Sequence, residues 1–596
     1  MTAPDPTTAI DPVTAAVIQG ALETIAVEMG HKLMRMSHSS IIRESEDFGA
    51  ALTDPTGSQL CECRMSTPLQ SGPIPGYVRH ILKVVAARGD AIRPGDVIMH
   101  NDPYGGASHG PDVAFCVPVF HADALVGFSV TTAHHLDIGA LTPGSCGIVD
   151  AVDTYAEGLQ FKAIKVYEAG RRVDPVWQIL EANLRAPHLV VGDMEAQIMA
   201  ARIGAARFTE LIETWGLAAI TAAHDDLIAY SERLMREAIR ALPDGECRAV
   251  THLDGYLDDP DPSRRDLPLV VTLRIAGDAL EVDLTGTAPQ LPDKPINMPF
   301  EGTVDCAIWL TIRSILLDSV TFGHIPQNAG LTRPIRIVAP KGCLANPDFP
   351  APVIARFCPG NQLADTVMKA LAQVAPDRVS AGIGNLRVAS FSGLEGGRHW
   401  VHMEILEGSY GGRLGLDGMD AVDTLYANTR NNPIEDIEMH LPLRVTRYEL
   451  REDAVAPGRW RGGIGTVREF TFLSDGGFSM EGDGHSHRPW GHDGGADGLT
   501  ASVTLVPADG EPRALVSKIP YLKAKAGDRL VCLGPCGGGY GDPLMRDPEA
   551  VLHDLREGFL GTEAAFAEYG VAATPAGLDE AATRAERGRR IASRPS

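Results

Sequence analysis

Cysteine, basic side chains and long apolar runs are all scarce in this chain, and each shortage excludes something. Ten cysteines in 596 residues are too sparse for a disulfide scaffold. Cys61 and Cys63 form a CxC pair with no second pair at zinc-finger spacing, so they are expected to be reduced and structural, in a cytosolic setting. Lysine and arginine number 53 against 77 aspartates and glutamates. The resulting net charge of −24 argues against nucleic acid or an anionic membrane as the main partner. No run of 18 apolar residues appears, so no membrane span is expected. The opening MTAPDPTTAIDPVTAA lacks the basic region and apolar run of a secretory signal, and a cytoplasmic location is the expectation.

Familiar catalytic and nucleotide motifs are missing too. No G-x-S-x-G elbow occurs for a serine nucleophile. The glycine-rich GPCGGGYGDP at 534–543 lacks the GK[ST] ending of a phosphate loop and the strand–glycine–helix context of a dinucleotide fingerprint. It reads as a tight turn system that needs positive φ.

What is present fits a large globular chain, 44% hydrophobic and 22% charged, with room for about three to five domain-sized units. Asp11 and Pro12 look like an N-cap and first helical residue, and Ile18, Leu22, Ile25, Met29, Leu33 and Met36 recur at helical spacing. The spacing predicts a long helix over about 12–37. A hairpin turning at Asp54–Gly57 follows over 48–61, then a helix over 75–88 and sheet over 97–133. Helices are expected from about Gly192 to Trp215 and from 217 to 242, strands over 246–287, and helices over 303–318 and 361–374. From about 380 to 535 the chain reads as antiparallel β with long loops, and helix returns at 547–560 and 577–594. Arg584, Arg587, Arg589, Arg590 and Arg594 make the last turns basic, as in a solvated, frayed tail. The expected fold is α+β, a multi-subdomain mixed fold. Its regions are 1–190 (N-terminal α+β with a metal-binding hairpin), 191–245 (helical hairpin), 246–380 (α+β), 381–545 (glycine-rich β) and 546–596 (C-terminal helices).

The chemistry concentrates in 29 residues. VAFCVPVF at 113–120 and LVGFSVTTA at 125–133 are apolar, β-branched runs separated by the polar tetrapeptide 121–124, a strand–turn–strand pattern. With the turn at 122–123, position 112 pairs with about 133 and 109 with about 136. The open end of the hairpin then gathers His109 and Asp112 from one side and His134, His135 and Asp137 from the other. Two imidazoles and a carboxylate there make a first shell for Zn²⁺, Mn²⁺ or Fe²⁺. The flanking segments 101–111 and 139–147 are glycine- and proline-bearing loops, where sites are commonly built. Glu157 reads either as a general base near the metal or as a surface carboxylate. A second cluster, His485, His487 and His492, lies in a glycine-rich stretch. Its HxH spacing puts two rings on one face, which suits a metal, although a substrate or partner loop is the plainer reading.

Several segments carry a resemblance to the hydantoinase B family. These are the start at 11–26, IRESEDF at 42–48, NDPY at 101–104 with HGPD at 109–112, AHHLDIG at 133–139, and Glu157–Leu159. They continue with Asn183–Arg185, GDMEAQ at 192–197, CGGGYGDP at 536–543 and EYGV at 568–571. The family comprises the B-type subunits of ATP-dependent hydantoinases, 5-oxoprolinases and related lactamases, with the corresponding subunits of acetone and acetophenone carboxylases. The resemblance implies that His109, Asp112 and His134 hold one divalent metal, with His135 or Asp137 in support. It also implies an A-type partner that binds ATP, in a complex with two copies of each subunit. Two departures bear on the substrate. LQSGPIPG at 69–76 replaces a Pro-x-His-Leu-Gly segment, and the 483–493 loop differs from the expected arginine and proline pattern.

The implied chemistry is metal-assisted attack on a cyclic amide (hydantoin, 5-oxoproline or a related lactam) that the partner has activated by phosphorylation. Asp137, His135 and Glu157 are the catalytic candidates. Two alternatives stay open, a subunit of an ATP-dependent ketone carboxylase and a metal-stabilised, non-catalytic assembly subunit.

Overall fold

A computed structural model describes residues 10–145, 147–325, 327–452, 454–575 and 577–593. Arg594 and Cys146 therefore lie outside the described residues. The mixed α+β class is as expected, with helices and several antiparallel sheets interleaved.

Helix α1 (Pro12–Met36) begins where Asp11 accepts from Thr14 N at 2.9 Å with proline at the first turn. By length and composition α1 could cross a membrane, which a search for uninterrupted apolar runs passes over. Its stripe of Ile18, Leu22, Ile25, Met29 and Leu33 is instead buried in the protein core.

The core that matters most is a seven-stranded sheet. Its strands are β1 (Phe48–Thr53), β2 (Gln59–Glu62), β3 (Val97–His100), β4 (Asp112–His121), β5 (Ala124–His134), β6 (Ile164–Glu168) and β7 (Arg171–Arg172), in the order β2-β1-β5-β4-β3-β6-β7. Helices α2 (Pro68–Ser71) and α3 (Ile74–Ala87) join β2 to β3, and α4 (Asp174–Asn183), α5 (Pro187–Trp215) and α6 (Leu217–Arg240) follow the sheet. Both faces are covered. Val113, Phe115 and Val117 of β4 pack with Met194, Ile198 and Ala201 of α5. Cys116, Phe128 and Val130 pack with Ile74, Val78 and Ile81 of α3. Strands buried on two faces read as continuous apolar runs, and that is why this hairpin stands out in the sequence. The approach of α5 is close: a side chain on Gly204 would overlap Met29 Sδ and Ser129 Oγ.

Two boundaries move from the sequence reading. The first helix of the expected pair starts at Pro187, not Gly192, because proline takes the first helical position. Asp193, beside the expected start, accepts from His38 N and Ser39 N across the fold. Helices α4, Ile434–His440 and Thr562–Tyr569 were not expected.

A second core joins the sheet β8 (Gly245–Gly255), β9 (Arg265–Ala276), β10 (Ala279–Asp283) and β11 (Ile335–Val338) to α7 (Asp305–Leu316) and α8 (Phe357–Leu371). Leu269, Val271 and Leu273 meet Ile308, Ile312, Leu363 and Val367 there. The glycine-rich region is two sheets. One contains β12 (Arg387–Glu395), β13 (Arg398–Leu406), β16 (Gly476–Glu481) and β19 (Ile519–Ala524). The other contains β14 (Leu443–Leu450), β15 (Thr466–Phe472), β17 (Ser502–Val506), β18 (Arg513–Leu515) and β20 (Arg529–Leu533). Phe391, Phe470, Phe472, Phe478 and Leu530 fill the space between them.

The expected tight turn system at 534–543 needs its glycines for a different reason. Only Gly541 has positive φ, whereas side chains on Gly537 and Gly538 would strike the backbones of Tyr410 and Trp490. Close backbone approach, not handedness, sets that composition. Among the described residues the basic C-terminal turns are likewise not frayed. They form a helix, Glu580–Ala592, in which Arg587 donates to Tyr569 O and Arg590 to Phe566 O.

Candidate metal centre

The β4–β5 hairpin turns through Ala122 and Asp123, both with positive φ, as a type I′ turn requires. From there a regular ladder would set Asp112 opposite residue 133, the pairing expected from the sequence. The observed partner is His134. The register shifts between Phe120↔Leu125 and Val119↔Gly127, so Val126 is an extra, unpaired residue, a β-bulge. One residue of slip moves every side chain to the other face of the sheet. The bulge therefore decides which of two adjacent histidines joins Asp112. His134 lies on its face, and His135 points through the sheet to α5.

The result is a near-equilateral triangle. His109 Nε2 lies 3.1 Å from Asp112 Oδ1, His134 Nδ1 lies 3.1 Å from the same oxygen, and the two nitrogens are 3.2 Å apart. All three residues are buried. Donor–metal bonds of about 2.0–2.1 Å set donors about 3.0–3.4 Å apart in octahedral or tetrahedral geometry, so the triangle has the right edge. Among the described residues no fourth histidine, cysteine or carboxylate joins the group. His134 Nε2 is buried without a hydrogen-bond partner. A cavity of about 30 Å³ adjoins the triangle, lined by His109, His134, Asp47, Leu69, Arg356 and Glu481. It has room for one water-sized group.

The surroundings prepare the donors. Burial, followed by the Arg356 charge, pushes His109 down to about 4, so its imidazole is neutral at neutral pH, as a ligand must be. Burial opposes the charge on Asp112, but the two histidines and Arg356 hold its carboxyl well below the usual range. Arg356 Nη2 donates to Asp112 Oδ2 at 3.0 Å and to Ser108 Oγ at 2.8 Å, and Ser108 itself donates to the same carboxylate oxygen. Gln70 Nε2 donates to Oδ1 at 2.8 Å, and Tyr77 Oη to the Asp112 carbonyl at 2.9 Å. His109 Nδ1 sits 3.2 Å from Ile354 O, which orients the ring.

The other expected residues stand elsewhere. His135 Nε2 meets Gln197 Oε1 at 2.8 Å, and Gln197 donates to Val113 O, a brace between α5 and the hairpin. Asp137 accepts from Arg185 N at 2.5 Å, Arg185 Nη1 at 3.0 Å and Gly139 N at 3.1 Å, with no bond to a histidine of the triangle. Glu157 is not a surface carboxylate. It is buried, its Oε1 accepts from Val353 N and Ile354 N at 2.6 Å, and burial pushes it up to about 8. It thus fixes the segment whose Ile354 carbonyl holds His109. In the second cluster, His485 joins no ring pair or metal-ligand group with the other two histidines among the described residues. His487 stacks on His252 of β8, and His492 packs on Tyr540.

Sequence reading missed Arg356, Gln70, Asp47 and Glu481. Asp47 lies in the IRESEDF segment of the family resemblance, and its carbonyl accepts from His134 N at 3.2 Å. Arg356 gave one faint signal, a charge set among apolar residues just ahead of α8. A larger cavity, about 850 Å³, lies beyond α2, which turns Leu69 to the small cavity and Pro68 and Ser71 to the large one.

Comparison with known proteins places this geometry in company. A family model described as Hydantoinase B/oxoprolinase matches residues 11–543. A protein of Pseudomonas sp. (strain NS671), provisionally named as the B component of a D-/L-hydantoinase, is 64% identical over 568 residues, 95% of this chain and 96% of its own length. The crystal structure of the ATP-dependent caprolactamase from Pseudomonas jessenii superposes with a TM-score of 0.88 at 30% identity, covering 98% of this chain and 100% of the other. The nucleotide-free structure of acetone carboxylase gives a TM-score of 0.88 at 17% identity over 98% of this chain and 84% of that one, a likeness of fold alone.

Proposed function

This chain belongs to the hydantoinase B/oxoprolinase family, and on that premise we propose that it is the B-type subunit of an ATP-dependent cyclic amide hydrolase. Its substrate is a hydantoin, 5-oxoproline or related lactam, activated by phosphorylation on an A-type partner. The observation that carries this reading is the buried N, N, O triangle of His109, Asp112 and His134 with a cavity beside it. Three donors and an adjacent space favour a catalytic site, whereas a closed set of four would favour a purely structural one. ATP dependence in the caprolactamase, together with a sequence here that has no phosphate loop, supports assigning ATP to the partner.

His109, Asp112 and His134 would hold a divalent zinc, manganese or iron ion. Such an ion supplies Lewis-acid stabilisation of charge on oxygen and makes water a competent nucleophile near neutral pH. The rest falls to the chain's own groups. Arg356 fixes Asp112 and keeps Nε unpartnered, a cation beside the place where an oxyanion develops. The leaving ring nitrogen needs a proton. Asp47 and Glu481 line the cavity, and burial holds both above the usual carboxylate range, so either can supply it. Glu157, Asp137 and His135 act as positioning residues. A cytoplasmic setting accords with nine described cysteines that are all free and buried.

Co-expression with the A-type protein, metal analysis and an ATP-consumption screen over cyclic amides and ketones test the proposal. Co-elution is expected, with ATP consumed only when both proteins and a cyclic amide are present. Turnover of a cyclic amide by this chain alone would overturn it, as would consumption with ketones and none with cyclic amides. The isolated chain is expected to show no ATP binding by calorimetry.

A further inference from the structure

The loop after Glu481 carries three histidines that the proposed reaction does not use, and one of them has joined residues from another sheet. His487 stacks on His252, with ring centroids 5.3 Å apart and planes 26° from parallel. Its Nε2 comes within 3.0 Å of Asp266 Oδ1, and donor atoms of all three residues lie within 4.8 Å of one another. His252 and Asp266 sit on paired strands, close to the His252↔Pro268 and Gly255↔Arg265 partners, so a rigid ladder fixes two of the three. The loop supplies the third.

The contact between His487 and Asp266 is not an ordinary hydrogen bond. His487 Nε2 is closed off from solvent, yet it has no aligned hydrogen-bond partner despite the carboxylate oxygen 3.0 Å away. In a hydrogen bond the N–H aims at the acceptor. Ligands around an ion instead aim past one another at a shared point, with donors about 3 Å apart.

We infer that His252, Asp266 and His487 form a second divalent-metal site, suited to ions that prefer imidazole, such as zinc, nickel or copper(II). Its role is to tie a loop down. The Asp254 carboxylate, two residues further along β8, already accepts from His485 N at 2.8 Å and Ser486 N at 3.0 Å. An ion at His487 adds a second tie on the same strand. The loop begins directly after Glu481, which lines the cavity of the first site, so the tie steadies one wall of that cavity. The inference concerns residues outside the hairpin triangle and stands whether or not that triangle is catalytic.

The test uses the full-length chain, stripped with a chelator and titrated with zinc by calorimetry and with cobalt(II) by visible absorption. The wild type is expected to bind two ions. His134→Ala and His487→Ala should each bind one, and the double variant none. Asp266→Asn, at an exposed position with little to lose in folding, should weaken the second ion at least about tenfold and leave the first unchanged. Circular dichroism of metal-free His487→Ala confirms its fold, and Asp266→Asn decides the matter if that variant unfolds. Equal ion numbers in His487→Ala and wild type would overturn the site. So would no binding to His134→Ala up to about 0.1 mM zinc, or an Asp266→Asn titration that matches wild type.

Discussion

The triangle at the open end of the β4–β5 hairpin and the one on the β8–β9 pair offer the same donors, two imidazoles and a carboxylate, in opposite surroundings. The Asp112 side chain is 1% exposed and tied to Arg356, Ser108 and Gln70. That of Asp266 is 68% exposed and touches only His487 among the polar contacts described. The first carboxylate keeps its charge against burial because His109, His134 and Arg356 surround it. The second stands in water. Identical donor sets therefore differ in cost. A buried charge is worth keeping only while its partners are complete, and an exposed one can be removed freely.

The largest expected effect follows from that difference. Asp112→Ala should abolish metal at the first site and lower stability by about 3–5 kcal/mol, because it leaves Arg356 as an uncompensated buried cation. Asp266→Asn, which tolerates the positive φ at this position, should weaken metal at the second site at least about tenfold and leave metal-free stability within about 0.5 kcal/mol of wild type. Urea unfolding of both stripped variants measures the contrast. Similar costs at the two positions would break it.

How much of this was legible in the sequence depends on the length of chain that separates the partners. His109, Asp112 and His134 are joined by one short hairpin, and strands buried on both faces announce themselves as apolar runs. The group of five at the hairpin's end could be read, and the family resemblance narrowed it to three, but the reason His134 and not His135 enters could not be read. It rests on one bulged residue, Val126, and a bulge inside an apolar strand leaves no mark in composition. Arg356 is 244 residues from the aspartate it serves, and no local pattern predicts that meeting. His487 shows the same limit from the other side. The sequence paired it with His485 by period, while tertiary contact paired it with His252. The glycines at 534–541 read as a demand for positive φ, and only the packed neighbours show that backbone approach sets most of them.

An intermediate effect is expected at Glu157, which acts on the first triangle through the backbone. Glu157→Ala removes the acceptor of Val353 N and Ile354 N and should weaken the first metal by about 10–100-fold, the usual consequence of loosening a ligand's support. Glu157→Gln keeps an acceptor of the same shape and should restore binding. The pair also differs in pH dependence. Burial pushes the folded carboxyl from 4.5 up to about 8, so between those values the folded protein keeps a proton that the unfolded chain has released. Its contribution to stability is complete below about 4.5 and is lost as pH rises through about 8. The glutamine variant should lack that part of the slope. Parallel stability–pH curves for the two proteins, or failure of glutamine to restore the metal, would remove Glu157 from the support of His109. The second triangle, whose loop is held by Asp254 and not by Glu157, should be indifferent to both substitutions.

The smallest effect is expected at Asp137, and it separates nearness in sequence from nearness in the fold. Asp137 stands three residues from His134 and is the natural candidate to orient a ligand histidine. Such a carboxylate, if neutralised, ordinarily costs about 10–100-fold in metal affinity. Its hydrogen bonds nevertheless run to Arg185 and Gly139, so they fasten the loop after the hairpin to the chain leading into α5. Asp137→Asn should therefore leave the first-site affinity within about threefold of wild type, while costing about 1–3 kcal/mol of stability through a lost charged acceptor. Arg185→Met should reproduce part of the stability loss, and the double variant should cost less than the sum of the two, since both changes break the Arg185–Asp137 ion pair. Metal titration of the single variant and urea unfolding of all three decide it. A tenfold fall in affinity for Asp137→Asn would return that residue to the metal's support. It would also make the first triangle's advantage over the second a matter of local sequence as well as of burial.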